Sequence, residues 1–128
     1  MKMKNLINIS YQQNGSSVNH SNFGMRDMQA RAYEARKNQY ILLKAPPASG
    51  KSRALMYIGI DKLRSQNIKK VIVAVPERSI GSSFSFTPLK KFGFLDDWSP
   101  SSKHDLCKPG GQQSKSEVFL EFMNSSEE

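Results

Sequence analysis

The sequence has a single cysteine, Cys107, which rules out an intramolecular disulfide and fits a reducing compartment such as the cytoplasm. Histidine is nearly as scarce. His104 and Cys107 have the spacing of half a zinc site, but His20 is the one remaining histidine, so a complete tetrahedral set is missing. No long hydrophobic run is present, and neither a membrane span nor a signal peptide can be read. Acidic residues are few: 11 Asp and Glu stand against 19 Lys and Arg, a net charge of +8. That balance favours an anionic partner, nucleic acid above all, and disfavours an acidic one. With 128 residues, 38% of them hydrophobic, the chain can bury one core and hardly two. It reads as a single domain or part of one.

The most informative stretch is Gln39–Ser52, QYILLKAPPASGKS. The apolar run Tyr40, Ile41, Leu42, Leu43 predicts a strand, a small-residue turn follows, and Gly50-Lys51-Ser52 leads into a helical pattern. Phosphates need a loop with inward-turned amides, a lysine for the outer phosphates and a hydroxyl for the metal. Gly50, Lys51 and Ser52 supply those parts, with Ala48 and Ser49 completing the loop and Ser52 as the Mg²⁺ hydroxyl. ATP with Mg²⁺ is the expected ligand pair. A bare GKS triplet is common, so its placement between strand and helix carries the argument.

Residues 1–22 are rich in Asn, Ser and Gln and predict a flexible arm with one strand-like piece at 6–9. Residues 23–128 are read as one ATP-binding unit. Met25, Met28, Ala32 and Ala35 recur at helical spacing and predict an amphipathic helix over 26–37. After the phosphate loop a helix is predicted over 51–66. The β-branched run Val71–Val75 then has the pattern of a parallel strand buried on both faces, ended by Pro76. Strand, helix and strand in this order make a βαβ unit whose ligand lies beyond the carboxyl ends of the strands, with helices on both faces of the sheet. Residues 89–98 hold Phe92, Phe94 and Trp98 among lysines, which fits either base stacking or a satellite core. A short helix is expected at 117–123.

Taken together these segments resemble the start of a superfamily 2 helicase of the DEAD/DEAH or restriction-subunit type. The resemblance covers about residues 23–84. It implies an α/β fold, a three-layer RecA-like P-loop arrangement with a mostly parallel sheet, incomplete in this chain. Phe23-Gly24-Met25-Arg26-Asp27-Met28-Gln29 matches the adenine-reading motif, with Gln29 as reader, Arg26 beside it and Phe23 stacking. The family's phosphate loop commonly starts with alanine, as at Ala45, and Ala48 stands where a glycine is usual. Pro76, Arg78 and Ser79 match the next motif, which holds the nucleic-acid backbone. The resemblance implies Lys51 as the catalytic lysine, DNA or RNA as track with DNA favoured, and a second RecA-like lobe as partner.

An acidic Walker B box is not readable. Asp96-Asp97 follows Phe94-Leu95, but the residues before them are not a buried β-branched run. The expectation is therefore an N-terminal piece of a larger protein, inactive in turnover by itself. Two other readings stay open from the residues alone: a small P-loop kinase, and a passive basic module that holds single strands through Phe92, Phe94 and Trp98.

Overall fold

The computed structural model describes residues 6–10 and 23–128; the rest of the expected N-terminal arm lies outside them. Strand β1 (Leu6–Ser10) pairs in parallel with strand β2 (Tyr40–Lys44), in a register that sets Leu6 opposite Tyr40 and Ser10 opposite Lys44. Helix α1 (Asp27–Glu34) lies between them in sequence, so the parallel pair that forms is β1, α1, β2. Helix α2 (Lys51–Ser65) follows the loop after β2. Both helices agree with the sequence reading to within a few residues at their ends, where fraying is expected.

Alternation along β2 turns Ile41 and Leu43 toward the core and Tyr40 and Leu42 outward. Met28, Ala32 and Ala35 of α1 and Ala54 and Ile58 of α2 pack with Ile9 against that inner face. Both helices therefore cover the same side of the sheet, and Tyr40 and Leu42 stay 45% and 42% exposed on the other. The expected sandwich is thus half built among the described residues. Val71–Val75, expected as a buried strand, joins no ladder either: Ile72 is 55% exposed. A parallel strand needs a neighbour for its amides and helices over both faces, and the described residues supply neither for this run.

The second core lies on the opposite flank of α2. Met56, Tyr57 and Ile60 pack there with Met25, Leu89 and Phe94, and Phe23, Tyr33 and Trp98 close its edge. The rings meet edge to face, with Tyr57 and Phe94 centroids 4.7 Å apart. The chain returns to this flank because Thr87 and Trp98 exchange a pair of backbone hydrogen bonds and the Trp98 indole donates to the Phe84 carbonyl. Phe94 and Trp98 are thus core residues, as the satellite-core reading has it. A 3₁₀ segment, Arg78–Phe84, precedes this return, and α3 (Lys115–Asn124) starts at a capping box made by Ser114 and Glu117. No helix among the described residues is long and apolar enough to cross a membrane.

One buried polar knot ties α1 to α2. Asp61, 4% exposed, accepts from the Tyr33 hydroxyl at 3.0 Å and from the Gln66 amide at 2.7 Å, and Arg36 stands 3.4 Å away. Burial, and then the hydrogen bond it donates to Asp61, push the Tyr33 phenol up to about 12 from 10.0. The folded state thus holds this proton more tightly than the unfolded chain does. The stabilisation is complete below pH 10 and is lost as the pH rises from there to about 12. A Tyr33→Phe variant is expected to lose that part of the decline, checked by denaturant unfolding across this alkaline range.

Candidate nucleotide site

β2 ends at Lys44 and the loop 45–50 delivers the chain to the start of α2. The loop closes by two left-handed residues, Ala48 at φ 61° and Gly50 at φ 93°. Glycine adopts this conformation freely, whereas an alanine is strained there by about 1–2 kcal/mol. Ala48, where a glycine is usual, is therefore a stiff and costly element of the loop. The Lys51 ammonium folds back into the concavity and donates to the Ala45 carbonyl at 2.6 Å and the Pro46 carbonyl at 3.4 Å. Ser49 is 4% exposed and its hydroxyl is buried without a partner among the described residues.

The predicted adenine-reading segment sits directly beside this loop. Arg26 caps α1, and its backbone amide donates to the Gln29 side-chain oxygen Oε1 at 2.7 Å. Gln29 in turn donates from Nε2 to the Gly50 carbonyl at 3.1 Å, and Arg26 Nη1 approaches the Ala48 carbonyl at 3.4 Å. Residues more than twenty positions apart are thus latched together across the cleft. A side chain at Gly50 would break the latch, since a Cβ there lies 2.5 Å from Gln29 Nε2. The cleft, about 630 Å³ and open on one side, is lined by Arg26, Gln29, Ala48, Gly50, Lys51 and Ser52 together with Gly24, Arg53, Met56, Ser83 and Thr87. That is the size of a nucleotide-scale site.

Not every predicted residue reaches it. Phe23 stands in the second core, edge-on to Tyr33 and Phe94. Pro76, Arg78 and Ser79 are exposed and are not among the cleft-lining residues. Asp96 forms an ion pair with Arg64 at 2.9 Å, and the Asp97 carboxylate accepts from the Lys90 amide. The amide of Asp97 and then Arg64 hold the Asp96 carboxyl below its usual range. This acidic pair is thus engaged at the far end of α2 and not at Ser52. Among the described residues no group of three or more His, Cys, Asp or Glu side chains is assembled for a metal, His104 included.

Arg53, Ser83 and Thr87 were missed by the sequence reading. Arg53 adjoins the GKS triplet, and its place in the first turn of a helix was a usable signal. Ser83 and Thr87 gave none, because their approach depends on the return of the chain fixed at Thr87 and Trp98.

The donor set suits a phosphorylated ligand: an ammonium and a helix N-terminus meet at a loop with two left-handed residues. For Mg²⁺ the cleft-lining residues offer hydroxyls, Ser52 at the start of α2 among them, and no carboxylate, which fits an ion held mainly by ligand phosphates and water.

A protein of Bacillus subtilis (strain 168) named "Putative ATP-dependent helicase YeeB" is 56% identical to this chain over 126 residues. The match takes in 98% of the chain, which spans 21% of the length of that relative. No protein-family model and no solved structure matches the chain.

Proposed function

We propose that this chain is the ATP-binding portion of a nucleic-acid-dependent ATPase of the superfamily 2 helicase type, with a RecA-like arrangement that further sheet strands complete. The observation that carries the reading is the Arg26–Gln29–Gly50 latch, which joins an adenine-reading motif to a phosphate loop at one cleft. The likeness to a relative named as an ATP-dependent helicase supports it.

In this reading ATP is bound with Mg²⁺, which would be held by its phosphates and the Ser52 hydroxyl and would supply neutralisation of phosphate charge. Lys51 leaves the Ala45 and Pro46 carbonyls for the outer phosphates, the amides at the start of α2 hold them, and Ser52 offers its hydroxyl. Gln29 exchanges its bond to Gly50 for the base, so that binding is signalled to the loop. The exposed Arg78 and Ser79, with Pro76, grip the backbone of a nucleic-acid strand, DNA rather than RNA. A second lobe closes the open side of the cleft and completes turnover, and this chain by itself binds nucleotide without hydrolysing it.

The passive-binder reading has less support, because Phe94 and Trp98 are committed to the core. A fluorescent ATP analogue should bind the chain and be displaced by unlabelled Mg-ATP. Absence of displaceable binding to a cooperatively folded sample would overturn the proposal.

A further inference from the structure

Arg53 is a cation held at the cleft with unused hydrogen-bonding capacity. It is the third residue of α2, and successive helical residues project about 100° apart. Lys51 turns back to the loop carbonyls, and Arg53 leaves the helix on another side. Its guanidinium carbon lies 5.0 Å from the centroid of the Phe92 ring and 6.0 Å from that of Tyr57, while the side chain lines the cleft. Phe92 is in turn fixed against Gly24, where a Cβ would come within 2.8 Å of its ring.

The Arg53 Nε is buried and has no hydrogen-bond partner among the described residues. A buried donor without an acceptor is costly, so its retention beside the cleft needs a reason. The aromatic contacts set the plane of the guanidinium in advance, which lowers the cost of using it.

We infer that Arg53 is a binding residue for the nucleoside end of the nucleotide, meeting the ribose and base with the part of its guanidinium side chain that lines the cleft. The inference rests on the nucleotide reading of the cleft and extends it. Lys51 and the loop amides account for the phosphates, and Gln29 reaches the base only by giving up its bond to Gly50. Among the described residues that line the cleft, Arg53 is the one with a buried donor left unmet. It gives the site a means to prefer a nucleotide over a bare polyphosphate.

The test compares ATP with inorganic tripolyphosphate, each titrated calorimetrically into wild type, Arg53→Ala and Arg53→Lys, with melting temperatures recorded without ligand. Arg53→Ala is expected to weaken ATP by about tenfold or more, the worth of a hydrogen bond to a charged group, and tripolyphosphate by under about twofold. Arg53→Lys keeps the charge but not the planar fork, and should recover little of the ATP affinity. Equal losses for both ligands in Arg53→Ala, restored in Arg53→Lys, would reduce Arg53 to a general positive charge and overturn the inference. So would unchanged ATP affinity in a folded Arg53→Ala protein, which would leave Arg53 as a strut for Phe92. Wild type that takes up neither ligand would remove the nucleotide reading itself, a different result from either.

Discussion

Mg-ATP raises the melting temperature of the wild-type chain and leaves that of Lys51→Ala unmoved. A ligand that binds only the folded state stabilises it by about 2.7 kcal/mol at a hundred times its Kd. For a chain of this length that corresponds to a rise of roughly 10 °C. Lys51 contributes a side-chain cation seated in the loop concavity, where it holds the Ala45 and Pro46 carbonyls. Removing it leaves those carbonyls to water and takes away the charge that outer phosphates require. The ligand-free melting temperature should fall only slightly, because a net hydrogen bond of this kind is worth about 1 kcal/mol. The readout is therefore the difference between samples with and without nucleotide, for Mg-ATP and Mg-ADP alike. An equal nucleotide-dependent rise in Lys51→Ala would show that the loop is not what holds the phosphates.

How much of this was legible beforehand depended on whether the partners were local. The strand Tyr40–Lys44, the loop and α2 were readable because apolar spacing and the GKS triplet fall within one stretch of chain. The strand-like piece in the N-terminal arm was also readable, but its pairing with β2 was not, since register between distant segments leaves no local mark. Val71–Val75 has a pattern that fits a strand buried on both faces, and the described residues contain nothing that pairs with it. Pattern reports what a segment can bury, and a ladder also needs the other strand. At the site, Arg26 and Gln29 were named from a motif, and both side chains bond to carbonyls of the loop, at Ala48 and Gly50. Phe23 was named from the same motif, but its ring is in the aromatic core. The cleft wall at Ser83 and Thr87 depends on a return of the chain that no local signal announces.

The helix that carries Lys51 is also the partition between the two cores, and Tyr57 is the residue on which the second core rests. It is fully buried, its ring meets Phe94, and its hydroxyl donates to the Phe23 carbonyl at 2.7 Å. Truncation to alanine opens a cavity and removes that bond, and large aromatic truncations of this kind cost about 3–5 kcal/mol. Against a total stability of about 5–15 kcal/mol, Tyr57→Ala should leave little or no folded protein at 37 °C. Tyr57→Phe separates the two contributions. It keeps the ring against Phe94 and removes only the hydroxyl, at about 1 kcal/mol for the lost hydrogen bond. Denaturant unfolding of both variants measures the difference. If Tyr57→Phe costs as much as Tyr57→Ala, the second core is held by the bond to Phe23 rather than by the ring packing. If Tyr57→Ala costs under about 1 kcal/mol, the second core adds little to the fold. The segment 87–98 would then be free to move, and the wall that Thr87 gives the cleft would not be fixed. Because Arg53 also stands over the Tyr57 ring, a folded Tyr57→Ala protein should bind ATP more weakly than wild type. Stability and nucleotide affinity meet at this one side chain, because the face of α2 that fills the core continues directly into the face that lines the cleft.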